Sequence, residues 1–199
     1  FIGHVRRVSV GGINYRNTHP FSRENDGRDY SFAHNGTIST GNLTKEFFVP
    51  VGGTDSEKAF CHLMDIIKGR NISSIQREHF ELIHDTFREI NQNGDFNCIF
   101  SDGEYLFCYH DRQEYNGLYY LNRKAPFSRT RYIDEDIEVD FSLHKEPGQE
   151  GYVIASHPLT KENWTRFGAG EMIVFKDGEK VYSSTSSISL NLEMRRFDE

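Results

Sequence analysis

The pattern of apolar and polar residues predicts strands at the start of the chain. Residues 1–10 alternate with a period of two, as in a strand that buries one face. Residues 30–39 predict a strand pair that turns at Asn35-Gly36, because an Asn-Gly pair between apolar segments is a strong hairpin signal. The chain is therefore expected to begin with β structure.

Two helices are predicted next. Apolar residues recur at the helical period from Thr54 to Gly69, and Thr54 and Glu57 have the spacing of a capping box. A second apolar stripe with the same period covers residues 75–92 and stops before Gly94. The two helices follow each other without a predicted strand between them.

The rest of the chain returns to β patterns. Segments 96–110 and 170–183 each predict a hairpin, the first turning at Asp102-Gly103 and the second at Asp177-Gly178. Residues 125–150 are polar and charged, which predicts an excursion over the surface. Strands, two consecutive helices and strands again indicate an α+β layered sandwich, and no linker or repeat divides residues 1–199 into two domains.

Composition narrows the class of protein. The 199 residues are 36% hydrophobic and 27% charged, which predicts a folded chain. A net charge of −7, with scattered cations, argues against a nucleic-acid partner, and no apolar run approaches the roughly 18 residues of a membrane helix. Three cysteines without a Cys-x-x-Cys pair favour a reducing, cytoplasmic setting. Neither a close histidine pattern nor a glycine-rich phosphate loop occurs, so no metal or other cofactor is predicted.

Asn35 and Gly36 have a structural and a catalytic interpretation. The structural one is the type I′ turn, which is the more common role of an isolated Asn-Gly pair. The catalytic one uses the side-chain amide beside the glycine N–H, because two converging donors can stabilise the oxyanion of a tetrahedral acyl intermediate. The pair alone leaves both interpretations open.

Arg6 and Asp55 are the other candidate site residues. Arg6 is more simply a surface ion-pair residue, but its planar guanidinium would suit bidentate binding of a carboxylate. Its neighbour Arg7 is expected to face solvent. Asp55 directly follows Thr54, where a carboxylate complements the helix dipole without any ligand. The same carboxylate could also receive a substrate ammonium group.

Four segments together resemble one known family. In this order and spacing they are similar to the class II glutamine amidotransferase domain, in particular to its short, stand-alone bacterial branch. The segments are GHVRRVS at 3–9, NTHPF at 17–21, FAHNGTI at 32–38 and GGTDSEKAFCHLM at 52–64. The resemblance implies the four-layer α-β-β-α sandwich of N-terminal-nucleophile hydrolases, an α+β fold.

The resemblance also implies a role for each candidate residue. Arg6 would hold the α-carboxylate of glutamine, and Asp55 would bind its α-ammonium group. Asn35 and Gly36 would form the oxyanion pair.

The chain departs from the family at the nucleophile, which is an N-terminal cysteine in these enzymes. This chain begins with Phe1, and its three cysteines lie within a predicted helix or hairpin, so none has a free α-amine. We therefore expect the N-terminal strands that carry the nucleophile to be absent from these 199 residues.

Two functions remain open. The first is an amidohydrolase that cleaves the γ-carboxamide of glutamine, or another γ-glutamyl amide, with a cysteine from outside this chain and without a cofactor. A partner protein that accepts the ammonia is compatible with it. The second is a non-catalytic amino-acid-binding or regulatory domain that kept the fold and lost the nucleophile. The four segments together favour the enzyme, because an oxyanion pocket has little use without an attacking group.

Overall fold

The computed structural model describes residues 1–5, 12–44, 46–133 and 138–185. The α-helices are α1 (Asp55–Gly69) and α2 (Phe80–Asn91), and short 3-10 turns cover Tyr15–Asn17, Arg77–His79 and Phe141–Leu143. The strands are β1 (Phe21–Asn25), β2 (Arg28–Ile38), β3 (Gly94–Ser101), β4 (Leu106–Tyr109), β5 (Tyr119–Arg123), β6 (Arg129–Arg131), β7 (Glu138–Asp140), β8 (Gly151–Ala155), β9 (Thr165–Arg166), β10 (Met172–Lys176) and β11 (Glu179–Ser183).

The largest element is an antiparallel sheet of six strands in the order β1-β2-β3-β4-β10-β11. A three-stranded sheet has the order β8-β5-β9, and β6 and β7 pair with each other. The expected surface excursion over 125–150 thus contains the β6–β7 hairpin, and most of its described residues are exposed or half-buried.

Alternation along the large sheet produces two hydrophobic layers. Phe107 and Met172 point to the face covered by α1 and α2, where they join a core that includes Phe60 and Phe87. Cys108 and its neighbours point to the other face, against residues of the three-stranded sheet. Because successive side chains of a strand point to opposite faces, the central strands β3, β4 and β10 contribute to both layers. The predicted α+β layered sandwich is therefore confirmed.

The predicted helices are present, with adjusted ends. The hydroxyl of Thr54 accepts a hydrogen bond from the Glu57 N–H at 3.1 Å, as an N-cap does. The Glu57 carboxylate does not close the capping box; it accepts from the N–H groups of Val51 and Gly52 and pairs with Arg23. The second helix is shorter than the predicted 75–92, because Arg77–His79 forms a 3-10 turn before it.

Some of the predicted strands and hairpins are confirmed, and others are wrong. The hairpins at Asp102-Gly103 and Asp177-Gly178 are confirmed by the pairing of β3 with β4 and of β10 with β11. The strand predicted over 1–10 is wrong for residues 1–5, which form no ladder, and there the His4 ring stacks on His19 with centroids 4.2 Å apart. Residues 6–10 lie outside the described residues.

The turn predicted at Asn35-Gly36 is also wrong. β2 runs through both residues and pairs with β3 without interruption from Ser31 to Ile38. The turn lies earlier, at Asp26-Gly27, where φ values of 53° and 79° fit a two-residue hairpin turn. Both dipeptides carry the same local turn signal, and the pairing with a distant strand decides which of them turns.

Asp111 fixes the loop that follows β4. Its buried carboxylate accepts hydrogen bonds from the Phe96 N–H at 2.8 Å, from Asn91 Nδ2 at 2.6 Å and from the Gln113 N–H at 2.6 Å. Burial by itself would raise the pKa of this carboxyl, but these donors favour the ionised form and bring the pKa below its ordinary value. One charged group therefore holds α2, β3 and the loop together.

Replacing Asp111 with asparagine should lower the free energy of unfolding by about 1–3 kcal/mol near pH 7. The reason is that the NH₂ group of asparagine is a hydrogen-bond donor and would lie next to the donors that now bind the carboxylate. A depressed native pKa stabilises the fold above the unfolded pKa of about 3.9, and this stabilisation is lost as the pH falls through the native pKa. The difference between the two proteins should therefore shrink near pH 3.

Denaturant unfolding at both pH values measures this difference. Asp85→Asn, at an exposed carboxylate of α2, is the matched control and should have little effect. If Asp111→Asn lowers the free energy of unfolding equally at both pH values, the charge-based explanation is contradicted.

Candidate active site

A cleft of about 950 Å³ lies beside the edge of β2. Its walls include Asn35 and Gly36 of β2, Asp55 at the start of α1, Asn116 from the loop after β4, and the end of β8. Three of the four candidate residues therefore line one cavity. Arg6 lies outside the described residues, although the residues just before it, at positions 3–5, line the same cleft.

The backbone at Gly36 requires glycine because of a close approach rather than a turn. Its φ is +153°, and a Cβ at this position would lie 2.0 Å from the carbonyl oxygen of Asp95 on β3. L-residues rarely adopt this φ, and the neighbouring atom is backbone that cannot move aside cheaply. Gly36 thus brings β2 and β3 close together at the floor of the cleft.

The ladder directs the Gly36 N–H toward the cleft. In an antiparallel pair the N–H groups of a strand point alternately to its two sides. Phe96, opposite Gly36, gives its own N–H to Asp111, so these two residues do not exchange hydrogen bonds. β1 begins at Phe21, opposite Phe32, and among the described residues no strand flanks β2 on that side beyond this pair. The Gly36 N–H therefore points off the open edge.

Asn35 is oriented by a residue from a distant loop. Its Oδ1 accepts a hydrogen bond from Asn116 Nδ2 at 3.3 Å, which leaves the Nδ2 of Asn35 as the group available to a ligand. The loop that carries Asn116 is held by Asp111 and by Asn97, whose Nδ2 donates to the Tyr115 carbonyl at 2.6 Å. Two N–H donors, one from the backbone and one from a side chain, are thus adjacent at the sheet edge.

His34 joins β2 to α1 beneath these donors. Its Nε2 lies 3.1 Å from the Asp95 carbonyl, which can only accept, so Nε2 carries the hydrogen. Nδ1 then accepts from the Ser56 hydroxyl at 2.9 Å. Burial lowers the pKa of the His34 imidazole, so it is neutral at physiological pH. Sequence reasoning missed this role, for which the only signal was the position next to Asn35-Gly36.

Asp55 is the first residue of α1, as predicted. Its Oδ2 accepts from the Ile38 N–H at 2.9 Å and its Oδ1 from the Ser56 N–H at 3.0 Å. These bonds attach the helix to the open edge of β2, which explains the carboxylate without a ligand. Each oxygen retains a further lone pair, and the half-buried side chain lines the cleft, so it is also placed to meet a cation.

The three cysteines of the chain are buried and poorly suited to be nucleophiles. Burial raises the pKa of Cys61 to about 11 and raises the pKa values of Cys98 and Cys108 as well. Only Cys98 lines the cleft among the described residues. The thiolate is the attacking form of cysteine, and these thiols stay protonated near neutral pH.

Two further findings concern the described part of the chain. None of its helices combines the length and apolar character that crossing a bilayer requires. Within the same residues, no group of three or more histidine, cysteine, aspartate or glutamate side chains is arranged to hold a metal ion.

Known proteins resemble the chain over most of its length. Residues 1–196 match the family model of class-II glutamine amidotransferases. An uncharacterized protein of Methanocaldococcus jannaschii is 43% identical over 195 residues, which are 98% of this chain and 55% of that protein. A crystal structure described as a "predicted glutamine amidotransferase" from Pseudomonas aeruginosa has a TM-score of 0.75 at 37% identity, covering 84% of this chain and 66% of that one.

A more distant likeness concerns the fold alone. Glutamine phosphoribosylpyrophosphate amidotransferase from Bacillus subtilis has a TM-score of 0.51 at 15% identity, covering 91% of this chain and 33% of that enzyme.

The chain belongs to the class II glutamine amidotransferase family. The family resemblance inferred from the four sequence segments is thereby confirmed, together with the sandwich fold of the N-terminal-nucleophile hydrolases. The described residues supply one helical layer and two sheet layers of that fold. The chain spans about half the length of its M. jannaschii relative and two thirds of the P. aeruginosa chain.

Gly36→Ala should lower the free energy of unfolding by about 2–4 kcal/mol, because its Cβ would collide with backbone at an unfavourable φ. Gly41→Ala is the matched control, since nothing lies within 4 Å of a Cβ there. The control should leave stability unchanged or raise it by up to about 1 kcal/mol. Thermal or denaturant unfolding measures both variants, and equal stabilities would contradict the close approach of β2 and β3.

Proposed function

We propose that this chain forms the glutamyl-binding part of an amidohydrolase. It would cleave the γ-carboxamide of glutamine, or of another γ-glutamyl amide, through a cysteine that is none of the three in this chain. The observation that carries the proposal is that two donors, the Gly36 N–H and the side-chain amide of Asn35, lie next to each other at one sheet edge. They line the cleft that also contains Asp55. Membership of the amidotransferase family supports it.

In the proposed reaction the cysteine sulfur attacks the γ-carbonyl carbon, and the carbonyl oxygen becomes an oxyanion. The Gly36 N–H and Asn35 Nδ2 stabilise this charge. The C–N bond then breaks as the proton of the attacking thiol passes to the leaving nitrogen. Water hydrolyses the γ-glutamyl thioester to glutamate and restores the thiol. The Asp55 carboxylate accepts hydrogen bonds from the α-ammonium group, and Arg6 binds the α-carboxylate. The γ-amide is thereby held in position for attack.

The second candidate is a binding or regulatory domain that recognises the glutamyl group without cleaving it. The buried, protonated thiols of the described chain favour it, because none of them can attack. N-terminal sequencing and intact mass of the natural protein, with an assay for ammonia and glutamate, distinguish the two. A cysteine-initiated protein that releases both products supports the enzyme, and a protein that binds glutamine unchanged supports the domain.

Asn35→Ala should lower kcat for glutamine hydrolysis about 100- to 1,000-fold with little change in KM, because one oxyanion donor is lost. Asn42→Ala, at an exposed asparagine, is the matched control and should keep full activity. Steady-state release of glutamate by the natural protein measures both variants. A rise in KM with unchanged kcat would remove Asn35 from the oxyanion site.

Arg6→Ala should weaken glutamine binding about tenfold or more, because a charge-assisted pair with the α-carboxylate is worth about 1.5–3 kcal/mol. Arg7→Ala makes the same change in net charge at the adjacent position and serves as the control. Titration calorimetry with glutamine measures the affinities. Equal losses in the two variants would indicate a general charge effect and would overturn the specific role of Arg6.

A further inference from the structure

A second cavity, which the hydrolysis of free glutamine does not use, adjoins the cleft. It has a volume of about 260 Å³. Its walls include five aromatic side chains: Phe127, Tyr132, Phe141, Tyr152 and Trp164. Such a lining suits a flat apolar group, because aromatic rings favour offset-stacked or edge-to-face contact.

The second cavity lies next to the cleft along β8 and shares one wall residue with it. The first part of this strand, at residues 151–153, lines the cavity, and Ile154 and Ala155 line the cleft. Leu159, in the loop that follows, is a wall of both. Three residues of a strand span about 10 Å, so one extended small molecule can reach from the cleft into the cavity.

Arg123 forms a cationic wall of the cavity. Its guanidinium lies 4.3 Å from the centre of the Phe141 ring, and one terminal nitrogen pairs with Glu162 at 2.5 Å. These two contacts hold the Arg123 side chain and the Phe141 ring together at the cavity.

The cleft has one wall for each end of a γ-glutamyl amide. Its wall at Gly36 and Asp55 is assigned to the glutamyl group, and its wall at β8 leads to the second cavity. The departing amine would therefore lie toward β8.

We propose that the second cavity binds the amine side of the substrate, and that this substrate is a γ-glutamyl amide whose amine carries an aromatic ring. This inference rests on the proposed function. The reaction is a hydrolysis as before, except that the C–N bond that breaks releases the amine that carries the ring in place of ammonia. The ring occupies the aromatic cavity.

Trp164 makes the test independent of catalysis. It is the only tryptophan among the 199 residues and it lines the second cavity, so its fluorescence reports what enters that cavity. The probes are γ-glutamylphenylalanine and γ-glutamylglycine, which share the glutamyl group and a carboxylate and differ by the ring. The phenylalanine peptide should bind at least tenfold more tightly and change the Trp164 emission, because burying the ring is worth about 1.5–3 kcal/mol.

Variants in the cavity complete the test. Phe141→Ala should abolish the preference for the phenylalanine peptide and leave the affinity for glutamine unchanged. Phe141→Leu keeps apolar volume without a ring and should weaken the preference in a protein that still folds. Phe47→Ala, at an exposed phenylalanine, is the control and should change neither affinity.

The outcomes separate the two proposals. Equal affinities of the two peptides without an emission change, while glutamine still binds, would overturn the aromatic subsite and leave the proposed function intact. Failure of glutamine and both peptides to bind would overturn the proposed function and the subsite together. Retention of the preference in both Phe141 variants would also overturn the subsite.

Discussion

The position at which β1 begins, opposite Phe32 of β2, is the constraint on which the candidate site depends. Beyond Phe32, alternate N–H groups of β2 point to a side where the described residues provide no further strand. Buried backbone donors need acceptors, and the Ile38 N–H obtains one from Asp55, which also fixes the start of α1. The Gly36 N–H faces the cleft instead. One sheet edge thus attaches the helix and directs a donor into the cleft.

The features that could be predicted from the sequence are those with local causes. The cap at Thr54, the apolar stripes of the two helices and the turn at Asp102-Gly103 each arise within a few residues. The turn at Asn35-Gly36 was predicted from an equally clear local signal and is wrong. The strand that keeps Gly36 extended is β3, where Phe96 lies opposite it 60 positions later, and no local pattern reveals that pairing.

The residues of the candidate site also fall into a predicted and an unpredicted group. The resemblance to a family indicated Asn35, Gly36 and Asp55, and the structure brings these three into one cleft. The supports of the site were not predicted, because Asn116 lies 81 positions from Asn35 and is held by a buried carboxylate on a loop. The role of Arg6, an ammonia-accepting partner and a cytoplasmic location stay predictions.

The most direct test of the glutamyl-binding site is a crystal structure of the protein with bound glutamine. The γ-carbonyl oxygen should lie about 2.7–3.1 Å from both the Gly36 nitrogen and Asn35 Nδ2, with the α-ammonium group against Asp55. Glutamine bound away from the edge of β2, with the Gly36 N–H donating to an acceptor of the protein itself, would contradict the account.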